Sequence, residues 1–181
     1  MAKRYASLFH SEESENLHHN APESKKAPYR LLLVDDEPNI LASLRRVFQR
    51  ENYELLFARS GEEALRIMEK QPAELIMTDF MMPGMNGSEL LREVRERWPQ
   101  TIRIMLTGHA NTDAVMGSIK DGAVYRFILK PWNDDDIRLT IALALEQYEL
   151  IQRTRALEQQ TKKQSRDLET ISKLTATNRS Q

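Results

Sequence analysis

Four apolar runs in this chain each end on residues able to do chemistry. Residues 31–34 lead into Asp35 and Asp36, 75–77 lead towards Asp79, 102–106 end at Thr107, and 127–129 end at Lys130. Carboxylates brought close together repel one another unless a cation lies among them. Oxygen donors with one open face suit Mg2+ better than a transition metal. A carboxylate beside such an ion can attack a phosphoryl group and carry it as an aspartyl phosphate. The new phosphoryl oxygens then need donors, and a Thr hydroxyl and a Lys ammonium are of the right kind. Gathered in one place, these side chains form a complete inventory for reversible phosphorylation of Asp79. Their spacing along the chain does not gather them, so the elements that carry them must.

Those elements read as alternating strands and helices. Residues 30–34, 53–58, 75–79, 102–106 and 125–129 have the short apolar patterns of strands bounded by turn residues. Pro38 can open a helix that buries Ile40, Leu41, Leu44, Val47 and Phe48, because its missing N–H costs nothing in the first turn. Ser60 and Glu63 have the spacing of a capping box ahead of Ala64, Leu65 and Met68. A helix from about Ser88 to Arg97 buries Leu90, Leu91 and Val94 and stops before Pro99. Asn111 can cap a short helix through Ile119, Gly122 marks a turn, and Asn133 can cap a last helix whose first turn holds Asp134, Asp135 and Asp136. Five strand–helix repeats with short connections predict an α/β fold. It would have a five-stranded parallel sheet of flavodoxin-like order 2-1-3-4-5, helices on both faces and a long C-terminal helix. That order sets the first and third strands side by side, and Asp35, Asp36 and Asp79 at one carboxyl edge, where ligands collect in such sheets.

Composition narrows the class. The chain has 181 residues, 40% of them hydrophobic, enough for one core plus appendages. A formal net charge of -1 gives no overall attraction to nucleic acid or anionic membrane. Without a cysteine there is no disulfide framework or thiolate metal site. No apolar stretch is long enough to span a bilayer, and Lys3 and Arg4 are not followed by the apolar run of a secretory signal, so a cytoplasmic location is expected. Residues 1–28 are polar and aperiodic and read as a solvated tail; His10, His18 and His19 within it complete no tetrahedral metal set.

The motifs as a set resemble a bacterial response-regulator receiver domain of the CheY-like kind. They are Val-Asp-Asp-Glu at 34–37, Asp-Phe-Met-Met-Pro-Gly-Met-Asn-Gly at 79–87, Leu-Thr-Gly at 106–108 and Lys-Pro-Trp at 130–132, and the resemblance covers roughly residues 29–148. It implies that Asp79 takes a phosphoryl group from a histidine kinase. It further implies Mg2+ held by Asp36 directly, by Asp35 mainly through water, by Asp79, and by the backbone carbonyl of Met81. Thr107 and Lys130 would contact the phosphoryl group, Thr107 and Phe127 would form the switch pair, and the Lys130–Pro131 bond would be cis. Taken singly, each residue has a plainer account. An Asp at a strand end is often a turn former, Thr107 a loop hydroxyl, Lys130 a solvated charge, Phe127 a core residue, and Met81, Met82 and Met85 loop packing. The order of four motifs on the right elements carries the reading.

Two positions depart from or tune the common pattern. Gly108 follows Thr107 where Ala is frequent, which should loosen that loop. Met81 and His109 lie two residues beyond Asp79 and Thr107, positions that in this family flank the path of hydrolytic water. Replacing both with small polar residues is expected to change the autodephosphorylation rate, measured as loss of label with time; an unchanged rate would reject a tuning role. His109 as an ordinary exposed loop residue is the competing account.

The last helix carries two apolar stripes. Ile137, Ile141, Ala144, Leu145, Tyr148 and Ile151 should cover the sheet, while Leu139, Leu143 and Leu150 lie opposite. The second stripe continues at heptad spacing through Leu157 and Ile171, with Leu168 on the alternate seam among Gln and Thr. Residues 149–181 thus read as a coiled-coil extension or linker that makes a parallel homodimer; a single solvated helix fraying past about residue 159 is the alternative. From 151 onward seven Lys and Arg stand against three acids, without a recognition motif for nucleic acid. In receivers of this kind such a helix leads to an output domain or partner, often one of cyclic-dinucleotide turnover. The function expected is a phosphorylation switch rather than an enzyme. The competitors are an aspartyl-phosphate phosphohydrolase, for which Met81 stands where an acid is needed, and a phosphate-independent scaffold.

Overall fold

The computed structural model describes residues 27–108 and 122–178, with side chains through residue 168. The expected helix at 111–119, His109 and most of the 1–28 tail lie outside the described residues, as does the side chain of Ile171. The strands are β1 (Tyr29–Val34), β2 (Tyr53–Ala58), β3 (Leu75–Asp79), β4 (Ile102–Thr107) and β5 (Arg126–Leu129). The helices are α1 (Pro38–Phe48), α2 (Gly61–Lys70), α3 (Gly87–Arg97) and α4 (Asp134–Asn178). The strands form one parallel sheet in the expected order β2-β1-β3-β4-β5.

Alternation along the strands splits the core into two layers. Leu31, Leu33, Leu75, Met77, Ile104 and Leu106 meet α1 and α4 on one face. Leu32, Val34, Ile76 and Met105 meet α2 and α3 on the other. β3, central in the sheet, is buried along its whole length, so it reads as a continuous apolar run rather than an alternating one. This rigid centre is what holds Asp79 at a fixed height above the sheet edge.

The helix starts follow the residues expected to begin them, with two local differences. Pro38 opens α1, and Asn133 Oδ1 accepts from the N–H groups of Asp135 and Asp136 at 2.8 and 3.2 Å. Ser60 Oγ caps α2 by accepting from Glu63 N at 3.2 Å, but Glu63 returns its carboxylate to Arg59 N (2.7 Å), one residue short of a reciprocal box. The reciprocal box is at α3, where Asn86 and Glu89 each accept from the other's backbone N–H at 3.0 Å. α3 accordingly starts at Gly87, one residue before the expected Ser88. The Lys130–Pro131 bond is cis, as the resemblance implied.

α4 is one continuous helix of 45 residues, roughly 65 Å long. Ile137, Ile141, Ala144 and Leu145 are buried against the sheet, and Arg138 Nη1 donates to the Val47 carbonyl at 3.3 Å, tying α4 to the end of α1. Near the end of the contact with the domain Tyr148 meets Tyr29 edge-on, ring centroids 6.3 Å apart, and Glu149 accepts from the Tyr29 hydroxyl at 3.2 Å. Ile151, expected on the covered face, is 40% exposed. One turn past Tyr148 it is Gln152, not Ile151, that is half-buried beside Tyr29 and Arg30. Leu139, Leu143, Leu150, Leu157 and Leu168 are all exposed.

Candidate functional site

The carboxyl ends of β1, β3, β4 and β5 bring the expected residues together. Asp79 ends β3 opposite Leu106 of β4, and Phe80 N donates to the Leu106 carbonyl at 2.9 Å. Asp79 Oδ2 accepts from Met81 N at 2.7 Å. Lys130 Nζ lies 2.6 Å from Asp79 Oδ1 and 2.8 Å from Asp35 Oδ2. The second Asp35 oxygen accepts from Glu37 N at 2.9 Å. Lys130 N in turn donates to the Thr107 carbonyl at 2.8 Å, which locks the end of β5 to the end of β4. Thr107 is buried, Asp36 is half-buried next to Asp35, and Phe127 is half-buried against the α2–α3 layer.

Burial grades the acids. Asp35 is sealed, whereas the Asp79 side chain keeps 10% of its surface open. Burial pushes the Asp35 carboxyl above its ordinary range, and the hydrogen bonds from Lys130 and Glu37 N offset this only in part. Burial pulls the Lys130 ammonium down, but its bonds to Asp35 and Asp79 outweigh that and the net direction is upward. Lys130 therefore stays charged and holds two carboxylates in register.

The charge count bears on the metal. Asp35, Asp36 and Asp79 against Lys130 leave an excess of two negative charges when all are ionised, which suits a divalent cation. Among the described residues no three His, Cys, Asp or Glu side chains form a ready cage, because Lys130 occupies one oxygen of Asp35 and one of Asp79. The donor set that the resemblance implies, Asp36, Asp79 and the Met81 carbonyl, would leave the rest of an ion's shell to water. Mg2+ is commonly held in this way, through one or two carboxylates and retained waters. The residues fit the ion.

The loop 80–86 between β3 and α3 is tightly constrained. Gly87 N donates to the Phe80 carbonyl at 3.0 Å. A Cβ on Gly87 would lie 2.1 Å from the carbonyl oxygen of Asp79, so the start of α3 is pressed against the backbone of the candidate nucleophile. Gly84 turns the loop with φ of 75°. Met82 is buried, while Met81 is 73% exposed. Gly87 closes the 79–87 motif but was given no role from sequence; a glycine's close approach to another residue's carbonyl has no sequence signature. The Asn86–Glu89 box did have one, an Asn three residues before a Glu ahead of an apolar pair.

A parallel doubly wound sheet with an acid cluster, a lysine and a threonine on its carboxyl edge defines a class of signalling domain. Residues 31–142 match the response regulator receiver domain family, and the chain belongs to it. The hydrogenase transcriptional regulatory protein HoxA of Cupriavidus necator is 37% identical over 116 residues, covering 64% of this chain and 24% of that protein. The nitrogen assimilation regulatory protein NtrX of Azorhizobium caulinodans is 34% identical over 133 residues, 72% of this chain and 29% of that protein. The chain thus spans only about a quarter to a third of these curated relatives. Among solved structures, the signal receiver domain of an HD domain-containing protein from Pseudomonas fluorescens Pf-5 is similar with a TM-score of 0.65 and 32% identity, covering 67% of this chain and 98% of that one. No described helix is long and apolar enough to cross a membrane.

Proposed function

We propose that the chain is a phosphorylation switch whose acceptor is Asp79. The observation that carries this is Lys130, which holds Asp79 Oδ1 at 2.6 Å while the Asp79 side chain stays partly open at the sheet edge. An Asp79 oxygen attacks the phosphorus of a phosphohistidine on a histidine kinase; the P–N bond breaks and the imidazole leaves. Bound Mg2+, held by Asp36, Asp79 and the Met81 carbonyl, would balance charge on the phosphoryl oxygens. Lys130 neutralises the same oxygens from the other side, and the Thr107 hydroxyl turns to them as a donor. Phe127, on the strand that Lys130 ends, follows Thr107 and changes the surface of β5 and α4. The two arrangements form a pre-existing equilibrium that phosphorylation biases. Met81 and His109 tune the lifetime of the phosphoryl group. A hydrolase reading is weakened because the second position beyond Asp79 is the apolar, exposed Met81 rather than an acid; the chain is read as non-enzymatic and cytoplasmic. The test is incubation with acetyl phosphate and Mg2+ followed by intact mass measurement. One phosphoryl group per chain, dependent on Mg2+, supports the switch; no uptake, or continuous release of phosphate, refutes it.

The same reading gives α4 the role of relay to a downstream domain or protein. Leu139, Leu143, Leu150, Leu157 and Leu168 are 50–67% exposed along it, a seam with no cover inside the described chain and suited to a second copy in parallel register. Leu143→Glu with Leu157→Glu should convert a dimer to a monomer by light scattering, with the receiver's thermal transition little changed, since neither side chain touches the core. A wild-type chain that is monomeric at all accessible concentrations would sink the dimer.

A further inference from the structure

We propose that Glu62, in the first turn of α2, is a positioning residue for the 80–86 loop and, through it, for the Met81 carbonyl that the site reading gives to a metal ion. The proposal rests on the site reading above for the role of that carbonyl. Three contacts join α2 to the loop at one point. Glu62 Oε1 accepts from Met85 N at 3.2 Å. The Met85 side chain lies over Gly61, where a Cβ would come within 2.8 Å of its Cγ and Sδ. Gly84, at φ of 75°, passes so close beneath Glu62 that a Cβ there would lie 3.2 Å from the same Oε1. Glu62 also engages its own backbone N–H and the Ser60 hydroxyl, which with Met85 N hold its carboxyl below the ordinary range. One carboxylate thus ties the junction of β2 and α2 to the middle of the loop.

The other anchors of the loop are Asp79 Oδ2 on Met81 N, buried Met82 with its Sδ on the Thr78 hydroxyl at 3.9 Å, Gly87 N on the Phe80 carbonyl, and Glu89 on Asn86 N. Without the Glu62 contact, Gly84 leaves the stretch between buried Met82 and the Asn86 cap free to rotate. The Met81 carbonyl belongs to the peptide that joins Met81 to Met82, so a shift of residues 83–85 reaches it by way of Met82. The plainer account is that Glu62 merely places negative charge at a helix N-terminus. The two accounts differ in what glutamine does. Glu62→Gln keeps an acceptor for Met85 N but drops the charge, whereas Glu62→Ala drops both.

The experiment is calorimetric titration of the full chain with Mg2+, together with amide hydrogen exchange in metal-free buffer. Outer residues that orient a ligand typically control about ten- to a hundredfold of metal affinity, and an exposed carboxylate should lie at the low end. Glu62→Ala is expected to weaken Mg2+ binding about tenfold and to speed exchange at Met85 N–H, with Glu62→Gln close to wild type. Gly61→Ala, which displaces Met85 from the other side, should weaken Mg2+ in the same direction. Unchanged Mg2+ affinity in Glu62→Ala, or Gln and Ala behaving alike, overturns the proposal. A wild-type chain that binds Mg2+ yet accepts no phosphoryl group would end the phosphoacceptor reading and leave this one standing.

Discussion

Asp79→Asn will take up no phosphoryl group from acetyl phosphate under conditions in which the wild type gains one. The amide is nearly isosteric, so its oxygen can still accept from Met81 N as the carboxylate does at 2.7 Å. What it lacks is the nucleophile. A neutral amide does not attack phosphorus as a carboxylate does, and no other described acid replaces it. Asp35 is sealed, with its oxygens on Lys130 and Glu37 N. Asp36 lies beside the pocket but lacks the Lys130 contact that would neutralise an incoming phosphoryl group. The loss should therefore be complete by intact mass, while the fold survives, because the substitution removes one charge from a crowded cluster. Label that persists at wild-type level in the amide variant would move the acceptor elsewhere.

Among the described glycines, Gly87→Ala is expected to be the most destabilising substitution. Its Cβ would stand 2.1 Å from the Asp79 carbonyl oxygen and 3.0 Å from the carbonyl carbon. Those are backbone atoms of the central strand, so no side-chain rotation relieves the contact. Either α3 backs away and gives up its Asn86–Glu89 box and the Gly87 N bond to Phe80, or β3 shifts. Overpacking of this kind costs about 3 kcal/mol, which for a domain of this size lowers the melting temperature by about 10 °C. Phosphoryl uptake should fall as well, because the displaced backbone is that of Asp79. A melting temperature within about 2 °C of wild type would mean that the approach of α3 to β3 is looser than the structure has it.

Much of the site was readable in the chain because its parts are local. Asp35, Asp79, Thr107 and Lys130 each end an apolar run, and that pattern needs only a strand period and a stop. Asn133 and Pro38 were legible for the same reason, as caps and helix starts act within a few residues. The charge pairing was not legible in detail. The acids were expected to gather around a cation, but that Lys130 binds Asp35 and Asp79 together, leaving Asp36 to the rim, follows from the rise of each strand and the turn after β5. Ile151 shows the limit of periodicity. The helical repeat places it on the covered face, yet it is Gln152 that is half-buried beside Tyr29 and Arg30, a fact about another element.

Residue order alone determined the fold class and the parallel order of the strands, and it singled out the side chains proposed to react, since each rests on patterns within one element or its immediate neighbours. Folding in three dimensions settled which oxygen meets which nitrogen, why Gly87 can carry no side chain, and how Glu62 reaches Met85. Those depend on distances between elements, which the packing of two side-chain layers sets to within tenths of an ångström and no local spacing encodes.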